Sequence, residues 1–359
     1  MASFDVLVRR LDDVVPHPNA DRLDLAVIGG YRCVVGKNQF RAGDLVAYLP
    51  EASILPTPLI DELGLTGKLA GPEKNRIHPV SLRGALSQGV VMPARPHWAE
   101  GQSVMDELGV VKFVPKIPEE LLGAAYALEE HERLDFDIQN IKAFPNLFKE
   151  GEPVVMTEKV HGVFMGVGGL PKELARPEHA FDSRAYVSSK GLLSDRMAFK
   201  REANNPYLRA TVAFGLPEAV LTLADEWNCP VLLLGEVFGL GIQDLAYGQP
   251  AQAPQFRAFA IVRRNAHGLP EYLSDEEIEE TLARLGIERT PVLYRGPYSM
   301  EAVERHTSGR ETVSGHAVHL REGVVITPAL ERSCPEIGRL ALKSVSEEYL
   351  TRKGGTEYT

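Results

Sequence analysis

Residues 157–166 read TEKVHGVFMG. The preceding PVVM and the following VFMG are apolar, so strand, turn and strand is the natural reading. A glutamate and a lysine nevertheless occupy the end of the first strand, where a buried strand favours valine. On their own these two charges read as an edge strand with both side chains in water. Three other stretches change that reading. Glu236 follows VLLLG, Glu322 precedes GVVI, and Lys343 follows RLAL. A strand covered on both faces does not tolerate a charge at its end without a partner or a ligand. Two lysines and two glutamates so placed form either two buried ion pairs or a site for a triphosphate and a metal. Buried pairs contribute little net stability, which leaves their presence unexplained. In the second reading the lysines neutralise phosphate and the glutamates hold a divalent cation or ribose hydroxyls.

The chain has 359 residues, 44% hydrophobic, with 39 Lys and Arg against 49 Asp and Glu, a formal charge of −10. That length exceeds one ordinary core and predicts two domains of a soluble, globular kind. The acidic balance provides no global pull toward nucleic acid, so a polyanion must be met by a local basic groove. Cys33, Cys229 and Cys334 are far apart and lack zinc spacing, which predicts reduced thiols in a cytosolic protein. The start MASFDVLVRRLDDVV is not a signal peptide, and no apolar run of about 18 residues is present. A cytoplasmic protein without a membrane partner is expected.

Residues 1–115 read as short strands separated by Gly, Pro, Asn and Asp, the pattern of a small barrel. HPNAD at 17–21 is turn chemistry, Gly29 and Gly30 suit a hairpin, and LSQGVVMP at 86–93 reads as one closing strand. Residues 116–135 read as a linker containing a charged helix. From 136 to 350 strands return with helices between them and without strict alternation, an α+β domain. Helical spacing covers 206–228 with interruptions at Gly215 and Pro217. Residues 274–286 carry a Ser274 cap, Glu277 three residues on, and Gly286 at the end. Residues 351–359 read as a tail.

The order EKVHG, SSKG, GEVFG, RAFAIV, EGVVI and a lysine in the last strand resembles the covalent nucleotidyltransferases, and within them the ATP-dependent RNA ligases. GEVFGLGIQDLAYG is close to that group as well. Upstream, VVPHPNADRLDLAVIGGYRCVVGK and RIHPVSLRGALSQGVVMP resemble the N-terminal OB fold of one RNA ligase subfamily. HPNADRL is also similar to tRNA-binding OB modules. The resemblance implies an α+β protein: an OB-like barrel, then a nucleotidyltransferase domain, ATP-grasp-like, of antiparallel sheets with helices.

The same resemblance implies roles. Lys159 is the nucleophile, forming lysyl-AMP from ATP, and its pocket is expected to favour the free amine. Glu158 contacts the adenine edge, and Gly162 lets the backbone pass close to the nucleotide. Glu236 binds ribose or a metal-bound water, Glu322 positions magnesium or manganese, and Lys343 binds the α-phosphate. Phe259 stacks on adenine, its alternative being a core phenylalanine. Ser189 and Lys190 lie where related ligases carry an arginine. His161 assists sealing or shapes the turn. Ala341 stands where the family pattern has a further lysine. Arg76, His78, Arg83 and Gln88 are the RNA contacts of the barrel, with plain solvated side chains as the alternative. The implied reaction joins a 3′-hydroxyl to a 5′-phosphate, at a nick in an RNA-containing duplex, by a monomer. A DNA ligase, a cap-forming enzyme and a non-catalytic RNA-binding protein are the rival readings. The first two usually carry a C-terminal OB domain, whereas the barrel-like sequence here is N-terminal.

Overall fold

A computed structural model describes residues 4–113, 124–201, 205–248 and 254–352. The chain divides into two compact units, the first built on the N-terminal residues with Asn140–Asn146, the second dominated by Leu147–Tyr349.

The first unit is mostly short strands, with two short helices at Thr57–Glu62 and Met105–Leu108. Leu7–Arg10 pairs with Leu45–Leu49, which pairs with Val90–Pro93, all antiparallel. Asp13–Pro16, Leu23–Ile28 and Tyr31–Gly36 form a second antiparallel sheet. The hairpin of that sheet turns on Gly29 and Gly30, whose φ values of +54° and +80° suit a two-residue turn that a Cβ would strain. The predicted strand at 86–93 is in fact two, Ala85–Ser87 and Val90–Pro93, broken at Gly89. The HPNAD turn clamps a neighbour. The Asn19 backbone N–H donates to His17 Nδ1 at 3.0 Å, leaving Nε2–H to donate to the Leu82 carbonyl at 3.0 Å. Asn19 Nδ2 donates to the Arg83 carbonyl at 3.0 Å, so the turn holds the hairpin Val80–Leu82/Ala85–Ser87. Val8, Leu49, Leu55, Met92 and Trp98 are among the buried residues of one of its cores.

The second unit is built on two larger antiparallel sheets. In one, Leu342–Val345, Gly323–Pro328, Pro153–Lys159 and Val292–Pro297 run side by side. The other has the order Ala185–Ser189, Val163–Gly169, Val231–Phe238, Gln255–Arg264 and Pro270–Tyr272. Helices Pro206–Ala213 and Leu216–Trp227 cover the second sheet, burying Leu208, Val220 and Leu223 against Met165, Val167, Leu233 and Ile261. The break between them falls at Gly215, in left-handed conformation, with Pro217 in the first turn of the next helix. Helix Asp275–Leu285 has the expected Ser274–Glu277 capping box and left-handed Gly286. The helix expected in 116–135 is not found where the chain is described. Residues 116–123 lie outside the described residues, and the rest contains strand Ala125–Ala127 and a single 3-10 turn at Glu130–Glu132. There Glu132 is spent on a buried cluster, taking His179 Nε2 at 2.8 Å and Arg176 at 2.8 Å, so tertiary partners override helical propensity. The three cysteines form no disulfide. No helix among the described residues is long and apolar enough to cross a membrane.

Candidate active site

Antiparallel register assembles the site. Lys159 closes its strand opposite Gly323, and Thr157 lies opposite Val325, which in turn lies opposite Lys343. Side chains alternate along a strand, so Lys159, Thr157, Val325 and Lys343 share one face. Glu322, the residue before Gly323, reaches Lys159 Nζ with Oε1 in an ion pair. Its other oxygen lies 3.7 Å from His161 Nδ1. Burial alone would push the Glu322 carboxyl up; the Lys159 ammonium beside it is the largest opposing influence, and the group is held below the ordinary carboxylate range.

Glu236 comes from the other sheet, on the rung that joins Phe164, Glu236 and Arg257. Its carboxyl is pushed up to about 8, chiefly by burial, with Glu322 adding repulsion and Lys159 opposing. Lys343 is shifted the other way. Burial, then the ammonium groups of Lys159 and Lys190, lower it from the ordinary lysine value. Lys159, Lys190 and Glu322 thus bear on both Glu236 and Lys343.

Gly162, between Lys159 and the strand Val163–Gly169, lets the neighbouring strand Val231–Phe238 pass close to the turn. A Cβ there would lie 2.8 Å from Glu236 Cγ and 3.1 Å from Phe238 Cβ. The close passage expected to serve the nucleotide is made to the strand Val231–Phe238, which brings Glu236 beside the lysine turn. Glu158 also departs from expectation. Strand alternation turns it to the face opposite Lys159, where its buried carboxylate accepts from the Thr312 N–H at 2.8 Å and hydroxyl at 2.6 Å. Arg321 lies 3.7 Å away, and burial still raises the Glu158 carboxyl. The residue on the Lys159 face is Thr157, which sequence reasoning passed over; period-2 alternation from Lys159 was the signal that would have found it.

Phe259 sits where pairing shifts, since Leu234 faces Ala260 but Gly235 faces Ala258. As the extra residue of a bulge it is turned toward Phe136, at 5.7 Å, and Phe164, at 6.1 Å. Phe136 and Phe164 stack at 5.0 Å, so the expected lone aromatic is one of three. Ser189 caps the short helix Lys190–Ser194 by accepting from the Leu192 N–H, and exposed Lys190 lies 3.2 Å from Asp137. Ala341 is buried.

His161 is held on every side. Its backbone N–H donates to Tyr247 Oη at 2.6 Å, Nε2 lies 2.8 Å from Asp244 Oδ1, and Nδ1 lies 2.6 Å from Tyr349 Oη. In the first unit the four expected RNA contacts divide. Arg83 is exposed at a hairpin turn with φ of 48°, and His78 is exposed. The Arg76 guanidinium lies 4.3 Å over the Phe113 ring. Gln88 is 2% exposed, with its amide donating to Glu51 at 3.0 Å and accepting from Lys142 at 2.9 Å. Its side chain is engaged within the first unit.

Facing sheets with lysines and glutamates gathered at their strand ends define a protein of nucleotidyltransferase-like architecture preceded by an OB-like domain. The RNA ligase family profile matches residues 152–345, and an OB-fold domain profile matches residues 6–94. This chain belongs to the RNA ligase family. Its fold is shared by the RNA ligase of Naegleria gruberi. One mutant of that protein with ATP and Mn superposes with TM-score 0.72 at 20% identity, over 97% of this chain and 98% of that one. The same ligase with PPi gives TM-score 0.72 at 21% identity over 96% and 97%. Another mutant, with AMP and Mn, gives 0.73 at 20% over 96% and 97%. Among curated protein sequences none matches this chain.

Proposed function

We propose that the protein is an ATP-dependent RNA ligase that works through a covalent lysyl-AMP. The observation that carries this reading is the ion pair of Lys159 with Glu322 at a strand end that Lys343 shares, with Glu236 brought alongside from the second sheet.

In the first step the Lys159 amine attacks the α-phosphorus of ATP. An N–P bond forms, the P–O bond to pyrophosphate breaks, and the amine proton is lost. The contact with Glu322 is a resting one that this attack gives up. Lys343, on the same face, binds the α-phosphate and the charge developing on it in this reading. AMP then passes to a 5′-phosphate, and a 3′-hydroxyl displaces AMP to close the strand. Phe259, within its aromatic trio, supports the adenine, and Thr157 faces the same space. Glu158, turned away and bonded to Thr312, acts by holding the loop around Thr312 against the strand. Ser189 and Lys190 lie at the phosphate side.

Glu236 and Glu322 would hold a divalent metal, manganese or magnesium. The fit rests on the donor set, two carboxylates of the kind a hard divalent cation takes, and such a charge would stabilise the Glu236 carboxyl, raised chiefly by burial and further by Glu322. When bound, such an ion neutralises phosphate charge and aligns the reacting oxygens. Among the described residues no cluster of three or more His, Cys, Asp or Glu side chains stands ready, which fits a site completed by phosphate oxygens and water.

The substrate we favour is a nick in an RNA-containing duplex, with ribonucleotides at the 3′-hydroxyl side. Residues 1–115 would form the docking domain, with Arg83 and Arg76 toward phosphates, and 136–350 the catalytic one. We take the protein to be a cytoplasmic monomer acting in RNA repair. The test is incubation with α-labelled ATP or GTP and manganese, followed by denaturation. Label retained from ATP and lost in Lys159→Ala supports the ligase; label from GTP alone, or none, defeats it. Sealing of nicked duplexes with ribo- or deoxyribonucleotides at the 3′ side then tests the substrate.

A further inference from the structure

Residues 239–248, GLGIQDLAYG, contribute no side chain to the roles above, yet three of them grip the two residues that follow Lys159-Val160. The Gln243 amide donates to the Gly162 carbonyl. The Tyr247 hydroxyl accepts from the His161 N–H at 2.6 Å. Asp244 Oδ1 lies 2.8 Å from His161 Nε2. A fourth grip comes from far along the chain, where Tyr349 Oη lies 2.6 Å from His161 Nδ1. His161, Tyr247 and Tyr349 are 3%, 2% and 1% exposed, so water cannot take over a lost bond.

The chemistry of the partners fixes the ring. An ionised Asp244 can only accept, so Nε2 carries the proton. Nδ1 of the neutral ring then offers a lone pair, and the Tyr349 hydroxyl donates to it. With both nitrogens satisfied, the imidazole cannot flip, and its Nδ1 edge stays 3.7 Å from Glu322 Oε2. The ring is therefore a fixed wall against the carboxylate that pairs with Lys159.

We propose that Asp244 and Tyr349 are positioning residues for adenylate transfer, acting through the His161 imidazole to fix the turn at 159–162 and the Glu322 carboxylate. This rests on the lysyl-AMP reading. Neither residue touches the reacting atoms. Their shared effect is on orientation, so it belongs to the rate of the covalent step more than to ATP binding.

The test measures single-turnover labelling of the full chain with α-labelled ATP and manganese for Tyr349→Phe and Asp244→Asn, alone and with His161→Ala. Tyr349→Phe keeps the ring volume and removes one hydroxyl. Each single variant should slow labelling at saturating ATP by about ten- to a hundredfold while KM for ATP moves less than about threefold. In the His161→Ala background each should add no more than about a twofold loss, because the shared intermediary is gone. Wild-type rates in both variants, or the same loss with and without His161, would overturn the proposal. A wild-type protein that takes no label from ATP would instead overturn the ligase reading itself.

Discussion

Two acids, one in each unit, are treated in opposite ways. Asp24 of the first unit is 5% exposed, with Lys37 Nζ 2.7 Å from one oxygen and the Asn38 N–H 2.8 Å from the other. Those bonds hold its carboxyl below the ordinary range. Glu236 of the second unit is pushed up to about 8, by burial and by the neighbouring Glu322. A carboxylate that serves the fold is placed where partners stabilise its charge. Glu236 instead sits where its charge is costly, the condition expected of an acid that a ligand would stabilise. The same contrast separates Gln88, whose amide joins Glu51 and Lys142, from Lys343, lowered by burial and by two other lysines.

The strongest break of this comparison is at the proposed nucleophile. Lys159→Ala should abolish covalent labelling by ATP, a loss of at least about a thousandfold in sealing, read by gel from labelled nicked duplex. Next come the acids. Glu322→Gln and Glu236→Gln should each lower sealing by about a hundred- to a thousandfold. They differ in stability, which sharpens the contrast. A carboxyl raised to about 8 in the fold binds protons more tightly there than in the unfolded chain, so stability falls as pH rises from about 4.5 toward 8. Glu236→Gln should therefore melt higher than the wild type at pH 8.5 without nucleotide or metal, by roughly 2–4 °C, and show no gain at pH 4. A lower melting point at pH 8.5 would mean the acid is stabilised at rest.

Phe259→Leu should raise KM for ATP about tenfold with a smaller change in kcat, since a flat face is lost and apolar volume kept. Equal KM would return Phe259 to the core beside Phe136 and Phe164. The smallest catalytic effect is expected at the other acid. Asp24→Asn should leave labelling and sealing unchanged and lower the melting temperature at neutral pH. Its carboxyl is held below 3.8 in the fold, so that stability is present above this value and lost as pH falls through the folded pKa. The difference between Asp24→Asn and wild type should fade below about pH 3.8.

Strands were legible from sequence wherever apolar runs met turn residues, and the helix at 275–285 was legible from its caps. The stretch at 124–135 misled because its Glu-rich composition favours helix locally, whereas Glu132 is claimed by His179 and Arg176 across the fold. Gln88 read as a surface contact because nothing local reveals that its neighbours are Glu51 and Lys142. Thr157 was within reach of simple alternation. Asp244 and Tyr349 were not, since 83 and 188 positions separate them from His161.

Sequence alone determined the charged residues at strand ends, and with them the family, because a lysine or glutamate in such a place is too costly to arise without a use. Tertiary structure decided which of those charges meet. Register put Lys343 on the face of Lys159 and turned Glu158 away from it, and the missing Cβ of Gly162 let the strand that carries Glu236 pass close to the lysine turn. Electrostatic interaction depends on distance through space, and distance along a chain does not report it.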